Sequence, residues 1–216
     1  MKYFWLTWRH KYFVFLAGLK TKAPMWRLII HDWSKFLPSE LPHYNRQFFP
    51  RPRGVGSQVT IDTFDGVHGK ATIIETRASD LSCYKVRMQD DKQEFWALEG
   101  EISDDIQAYE FITAWTKHQN RHPHHWEYWI PRTGHNRCDP PYPDNQPIAM
   151  PWWAVREMIA DWMGASRAYE GRWPKDGWPW YWKNRDKIRV TTITQTRINT
   201  VLQEVGLARV VEVTAK

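Results

Sequence analysis

The residue types best suited to chemistry lie in the segment His31-Asp32-Trp33-Ser34-Lys35-Phe36. Imidazole and carboxylate groups both bind divalent ions such as Zn, Mn and Fe, so an adjacent His31 and Asp32 can share one ion. The apolar pattern predicts one helix over residues 25–36, which would place Lys35 one turn beyond His31. From there its ammonium group could reach a phosphate at that ion. On the dipeptide alone, a capping aspartate beside a hydrogen-bonded histidine would be the better interpretation.

A second candidate is the run HQNRHPHH over residues 118–125, which carries four imidazoles within eight positions. Such a density is more typical of a metal site than of a surface loop. His118 and His122 share a helical face only if the helix continues to His122, and Pro123 argues against that. The alternative is a histidine-rich surface loop that binds no ion. The isolated His43, His68 and His135 are interpreted as incidental.

Three further candidates lie on predicted helices that are otherwise apolar. His10 shares the apolar face of the first helix, where a hydrogen-bonded core histidine is the usual interpretation. Glu157 and Asp161 are four residues apart, so their carboxylates project one above the other from a largely hydrophobic helix. Buried carboxylates require a cation or strong donors. The alternatives are a solvated helix face or pairing with Arg156 and Arg167.

The composition narrows the class of protein. The 216 residues are 42% hydrophobic and 15% aromatic, which excludes a disordered chain and favours one domain with a small insert. A net charge of +6 suggests affinity for anions, but no dense Lys/Arg run is present, so a soluble surface with a mild basic excess is the better interpretation than a nucleic-acid footprint. Cys83 and Cys138 form no CxxC pair, which favours a reducing compartment. The longest apolar run near the start, residues 13–19, is too short to span a bilayer.

The elements that must position these residues are mainly helices. Helical patterns cover residues 2–20, 39–48, 106–118, 152–168 and 194–205, and Gly206 suits a helix end. Between them, residues 58–64, 70–76, 83–88 and 94–98 are short strand-like runs separated by turn signals. Four or five strands in so short a stretch predict a small closed barrel. We therefore expect a helical metal-binding domain of residues 1–49 and 104–216 with a barrel-like insert of residues 50–103.

Fifteen tryptophans are unusual for this length. The clusters over residues 126–129, 152–153 and 178–182 are best interpreted as core packing around the helices. Alternatively, one of them stacks a nucleobase near the metal site, as single-stranded nucleic-acid binders do.

The order of these residues resembles the HD-domain superfamily of metal-dependent phosphohydrolases. Members place a His, an adjacent His-Asp pair and a distant Asp around a metal in a helical bundle, and two-metal versions add histidines between them. The resemblance implies an HD-like helical bundle, here interrupted by an SH3-like β-barrel insert. The segments HDWSKF, WTKHQNRHPHHWEYW and EMIADWMGAS are also similar to uncharacterised proteins common in bacteriophages and bacteria.

Carried over to this sequence, the HD resemblance implies a first ion bound by His10, His31, Asp32 and Asp161. It implies a second ion bound by His118 and by His124 or His125. One or two ions of Mn, Fe, Co, Ni or Zn are expected. Lys35 would neutralise developing charge, and Glu157 would orient a ligand or accept a proton. Asn120 and His122 are expected to contact the substrate.

The resemblance implies a phosphohydrolase that uses metal-activated water on a nucleotide or related phosphate ester. One alternative is a non-catalytic, metal-stabilised module that binds nucleic acid or protein. Another is a di-iron enzyme of oxygen-dependent chemistry, which would require both Glu157 and Asp161 as ligands. The sequence lacks a P-loop, a GxGxxG and a GxSxG motif, which argues against common ATPases, dinucleotide enzymes and serine hydrolases. We expect a cytoplasmic location, the host cytoplasm if phage-encoded, a small-molecule phosphate partner and no membrane partner.

Overall fold

The computed structural model describes residues 2–49, 54–63, 66–77, 80–98, 102–103, 105–131, 145–175 and 177–208. These residues form seven α-helices and five β-strands, so the chain is mainly helical, as predicted. The chain divides into two compact units. We call Met1–Pro42 with Thr113–Lys216 the helical unit, and His43–Ile112 the sheet unit. The predicted domain boundaries at residues 50 and 103 stay a prediction.

The helices are α1 (Lys2–Thr21), α2 (Met25–Ile30), α3 (Leu41–Phe48), α4 (Asp105–Arg121), α5 (Trp152–Tyr169), α6 (Pro179–Asn184) and α7 (Thr192–Glu204). Short 3₁₀ helices cover Trp33–Phe36, Trp126–Trp129 and Arg185–Lys187. The short helix α6 was not predicted. Thr191 caps α7 by accepting a hydrogen bond from the backbone N–H of Thr194, and Gly206 follows its end with a φ of 73°.

The core of the helical unit forms where α5 packs along α1 and against α7. Fully buried apolar side chains from the three helices meet there: Val14, Ala17, Val155, Met158, Ile159, Ile198, Val201 and Leu202. Gly164 lets α1 and α5 approach closely, because a Cβ at this position would lie 2.6 Å from the backbone nitrogen of Val14. Trp178 is also buried in this core, which agrees with the packing interpretation of its cluster.

The predicted single helix over residues 25–36 is wrong. Helix α2 ends at Ile30, His31 is extended, and Asp32 adopts the left-handed conformation with a φ of 55° before the 3₁₀ helix begins. Aspartate tolerates this conformation better than most residues. The Lys11 ammonium donates hydrogen bonds to the backbone carbonyls of Ile29 and His31, which satisfies the end of α2. The break therefore places His31 and Asp32 on a sharp turn.

The sheet unit contains β1 (Gln58–Asp62), β2 (His68–Arg77), β3 (Asp80–Met88), β4 (Glu94–Leu98) and β5 (Ile102–Ser103). All pairs are antiparallel, and the strand order is β4-β3-β2-β1-β5. Its buried face is formed by Val59, Ile61, Ala71, Ile73, Tyr84, Val86, Met88, Ala97 and Ile102. The predicted closed barrel is wrong for the described strands, because β5 pairs with β1 over two residues and not with β4.

Some predictions fall outside the described residues. His135 and Cys138 belong to residues 132–144, and part of the predicted linker belongs to residues 50–53. Within the described part of the chain, no helix combines the length and apolar character needed to cross a bilayer.

Candidate metal centre

The Asp32 carboxylate lies at the centre of a buried cluster of histidines and carboxylates in the helical unit. Asp32 itself is fully buried. Its Oδ2 atom faces His10 and His31, whereas its Oδ1 atom faces His118 and His124. The two oxygens of one carboxylate are thus divided between two sets of imidazoles.

The first set is the Asp161 group, which consists of His10, His31, Asp32 and Asp161. His10 Nε2 lies 3.0 Å from Asp161 Oδ1 and 3.3 Å from Asp32 Oδ2. His31 Nε2 lies 3.3 Å and 3.5 Å from the same two oxygens. These are the four residues that the HD resemblance implies for a first ion. Helices α1 and α5 and the turn after α2 bring them together.

The second set is the His118 group, which consists of Asp32, His118, His124 and His125. His118 Nε2 and His124 Nε2 lie 3.2 Å and 3.4 Å from Asp32 Oδ1. Where the resemblance implied either His124 or His125, the structure brings both into the group. Helix α4 ends at Arg121, and the turn that follows directs the later histidines back toward His118.

The spacing and chemistry of these atoms fit a divalent ion. Ligand atoms about 2.1 Å from one ion lie about 3.0 Å apart at octahedral angles and about 3.4 Å apart at tetrahedral angles. Within the Asp161 group, the nitrogen–oxygen distances run from 3.0 to 3.5 Å. The buried Nε2 atoms of His10, His31 and His124 make no hydrogen bond of good geometry among the described residues, although a carboxylate oxygen lies within 3.5 Å of each. Buried clusters of His, Asp and Glu in this chain could therefore hold a metal ion.

Glu157 lies behind two of the imidazoles. Its Oε1 atom is 3.2 Å from Nδ1 of His31 and 3.2 Å from Nδ1 of His124, on the side of each ring away from Asp32. Arg27 Nε donates to Glu157 Oε2 at 2.7 Å. A carboxylate that accepts from Nδ1–H fixes the ring orientation and leaves Nε2 for a metal. This geometry favours the predicted orienting role of Glu157.

Glu40 has the same relation to His118, although no pattern in the sequence predicted this role. Glu40 Oε2 lies 3.2 Å from His118 Nδ1, and Arg121 donates to Glu40 Oε1 at 2.9 Å. Ser34 donates its hydroxyl hydrogen to Glu40 at 2.9 Å. In the sequence, Glu40 reads only as a first-turn helix residue after Pro38. Glu40 is distinguished by its complete burial, and burial of this residue cannot be recognised from the sequence.

Lys35 is not one helical turn beyond His31, because the helix is broken between them. It lies on the 3₁₀ helix, where its Nζ atom donates to Asp32 Oδ2 at 2.6 Å. The lysine is thus close to the centre, as predicted. Its ammonium group contacts an oxygen of the candidate ligand Asp32, whereas the prediction was contact with a phosphate. A cation bound at Asp32 would compete with this ammonium group.

The two predicted substrate-binding residues belong to neither group. His122 Nε2 lies 2.7 Å from the Ser34 hydroxyl oxygen, and burial together with His118 lowers its pKa to about 2. Asn120 is buried on α4. On the other side of the centre, the Tyr169 ring stacks on His10 with centroids 5.7 Å apart. Tyr169, like Glu40, was not predicted from the sequence.

The imidazoles and carboxylates of the centre shift one another's pKa values. Burial lowers the pKa of His10, but Asp161 and Asp32 more than offset this, so the pKa rises above 6.5. Burial also lowers the pKa of His31, and Asp32, Asp161 and Glu157 more than offset it. Burial raises the pKa of Asp32, and His31, Lys35 and His118 bring it well below 3.8. The raised pKa values favour protons on His10 and His31, and a metal ion bound at these imidazoles would displace such protons.

The comparisons with known proteins give a family without an assigned activity. No curated protein and no solved structure matches the chain. A family model does match, over residues 1–60 and 68–205, which include every residue of the Asp161 and His118 groups. The chain therefore belongs to the family described as a family of unknown function (DUF5662).

Proposed function

We propose that this chain is a metal-dependent phosphohydrolase with an HD-like helical bundle, acting on a nucleotide or a related phosphate ester. The observation that carries the proposal is the division of the Asp32 oxygens between two histidine-rich groups. A shared carboxylate is suited to holding two ions side by side, and two such ions can stabilise both the attacking and the leaving oxygen of an in-line phosphoryl displacement. The net charge of +6 also favours an anionic substrate.

The donor set determines what each residue would contribute. The Asp161 group would hold one ion and the His118 group a second. When bound, such ions act as Lewis acids on phosphoryl oxygens and lower the pKa of water so that it can attack. Glu157 and Glu40 keep the imidazoles oriented through Nδ1, each held by an arginine. Lys35, beside Asp32, is the cation available to balance the charge of a phosphate.

The geometry supports this proposal over the di-iron alternative. Di-iron oxygen chemistry would require Glu157 as a ligand beside Asp161. Glu157 instead contacts Nδ1 of two histidines and forms a buried ion pair with Arg27. A ligand set dominated by imidazoles suits Zn, Mn or Fe in hydrolysis. The non-catalytic module is best separated from the proposal by experiment.

The test joins metal content to phosphate release. The full chain would be analysed for metals as purified and after incubation with Mn, Fe, Co, Ni or Zn. It would then be assayed with nucleoside monophosphates and with p-nitrophenyl phosphate. Asp32→Asn is the informative variant, because asparagine tolerates the left-handed backbone but lacks the charge. Asp62→Asn is the matched control, since that carboxylate is exposed in the sheet unit.

We expect one or two equivalents of metal and phosphate release in the wild type and in Asp62→Asn. Both should be lost in Asp32→Asn. A wild type that binds none of these ions would show the histidines to be structural. A wild type that binds metal but hydrolyses none of these esters would favour the non-catalytic, metal-stabilised module.

A further inference from the structure

The outward side of α1 is apolar, although the opposite side of the helix is already buried in the core. Val14 and Ala17 are fully buried. On the other side, Trp5 is 70% exposed and Tyr12 is 60% exposed. An ordinary surface helix would carry polar residues on this side. The outward side of α1 therefore has the composition of a contact surface.

The apolar surface continues onto the segment after α1. Trp26 and Ile29 on α2 are 59% and 58% exposed. Trp33 connects the two helices. Its ring centroid lies 6.3 Å from that of Trp8, and its indole N–H donates to the Ile29 carbonyl. We call this surface the aromatic face; it consists of Trp5, Trp8, Tyr12, Trp26, Ile29 and Trp33. Exposed apolar residues in such a group indicate an interaction site.

The segment that carries most of the aromatic face has basic side chains and no acidic ones. The first 31 residues contain six Lys or Arg residues and no Asp or Glu. Lys2, Arg9 and Lys20 are exposed on α1, and none of them forms an ion pair with another described residue. The first acidic residue of the chain, Asp32, is buried in the metal centre. Residues 1–31 thus contribute cations and no acidic side chain to the surroundings of the aromatic face.

This combination selects among possible partners. A symmetric dimer would place the same basic residues of two copies against one another. Single-stranded nucleic acid needs ring faces on which bases can stack, whereas Trp8 and Trp33 meet edge to face at 80° and Ile29 offers no ring. Tryptophan and tyrosine with aliphatic residues and a lysine or arginine border suit the headgroup region of an anionic bilayer. Lysine and arginine add electrostatic attraction to anionic lipids.

We propose that the aromatic face of α1 and α2 binds the surface of membranes that contain anionic phospholipids. The binding is peripheral and needs no spanning helix. It differs from the expectation, drawn from the sequence, that the protein has no membrane partner. It is independent of the proposed hydrolase activity, because none of the six residues of the face belongs to the Asp161 or His118 group.

The test is sedimentation of the full chain with vesicles. Vesicles of phosphatidylcholine alone are compared with vesicles of phosphatidylcholine and phosphatidylglycerol in equal parts. We expect the chain to bind only the second kind and to dissociate as the salt concentration rises. The double variant Trp5→Ser/Trp26→Ser should bind on the order of 100-fold more weakly, because each large apolar side chain that is buried contributes about a factor of ten. Ile193→Ser is the matched control, since Ile193 is 57% exposed on α7.

A second variant leaves the apolar residues unchanged. Lys2→Glu/Arg9→Glu should lose binding to the phosphatidylglycerol vesicles while the thermal unfolding temperature stays unchanged. Failure of the wild type to bind these vesicles would overturn the proposal, as would equal binding to both kinds of vesicle. Wild-type affinity in both double variants would overturn it too. The proposal would also be overturned if the wild type were a dimer and the Trp5→Ser/Trp26→Ser variant a monomer. Binding of the wild type to single-stranded DNA and not to vesicles would overturn it as well.

Discussion

Glu40 Oε2 lies 3.2 Å from Nδ1 of His118, on the side of the ring opposite the Nε2 atom that faces Asp32. Glu40 is fully buried and paired with Arg121. A buried carboxylate in this position stabilises the tautomer of His118 that leaves Nε2 as a metal ligand.

We therefore expect Glu40→Gln to weaken metal binding by about 10- to 100-fold at the His118 group. Metal binding at the Asp161 group should change little, because Glu40 contacts none of the residues of that group in the described structure. Titration calorimetry of the apo protein with Mn or Zn would resolve the two steps. Glu110→Gln, which removes a half-exposed carboxylate paired with Arg46, is the control. Unchanged affinity in Glu40→Gln would remove its positioning role.

The two groups should lose their ions separately. Asp161→Asn should retain the ion of the His118 group, and His118→Gln should retain that of the Asp161 group, because only Asp32 is shared. Elemental analysis should thus give one equivalent fewer than the wild type in each variant. If Asp161→Asn leaves metal content and activity unchanged, the assignment of Asp161 as a ligand is wrong.

Lys35→Met should have opposite effects with and without metal. Without metal, Asp32 loses a buried cation, which should cost about 3 kcal/mol in the free energy of unfolding. With metal, affinity should rise because no ammonium competes for Asp32 Oδ2, while phosphate release should fall on the order of 100-fold. Urea unfolding with chelator, metal titration and the phosphatase assay measure the three effects. Lys22→Met, at an exposed pair with Glu204, should change none of them.

The pH dependence of stability should change when metal is added. The pKa values of His10, His31 and His124 are raised above 6.5, so their stabilising contribution is full below pH 6.5 and is lost as the pH rises through the raised values. The pKa values of Asp32 and Asp161 are lowered, so their contribution is present above pH 3.8 and lost as the pH falls through the lowered values.

The pKa values of His122 and His125 are lowered by burial, so these two imidazoles reduce stability as the pH falls below 6.5. The unfolding temperature of the metal-free protein should therefore be highest near pH 6.5 and fall on both sides of it. Metal ions need neutral imidazoles, so the metal-induced increase in unfolding temperature should grow as the pH rises above 6.5. Thermal scans with chelator and with Mn across this range would measure both trends. A metal-induced increase that shrinks with rising pH would contradict the imidazole ligand set.

Gly164→Ala should destabilise the helical unit by about 1 to 3 kcal/mol, because the added methyl group forces α1 and α5 apart. Two of the three atoms that it would meet belong to the Val14 backbone, which has no rotamer to change. Gly54→Ala, where a Cβ would meet nothing within 4 Å, is the control. Urea unfolding midpoints would compare the two. Equal midpoints would show that the helices can separate without cost.

The sequence by itself determined the helices with strong apolar periodicity and the residue types of the centre. Helices α1, α5 and α7 follow the predicted segments within a few residues, because one face of each is buried in a single core. The pattern alone favoured a core histidine at His10 and a capping aspartate at Asp32. The order of these residues together with Asp161 resembles the HD-domain superfamily, and that resemblance implied them as ligands. The strands β1 to β4 were also predictable from their alternation.

Only the tertiary structure decided how these residues work together. The break at Asp32 depends on Lys11, which is twenty residues away from the carbonyl of His31 that it contacts. The open order of the sheet depends on which strand β5 joins, and local propensity carries no information about that. Glu40 has no local signal because its partner His118 is 78 residues away. The apolar periodicity of the sequence predicts which side chains are buried. The packing of segments that are distant in the sequence determines which of those side chains contact one another.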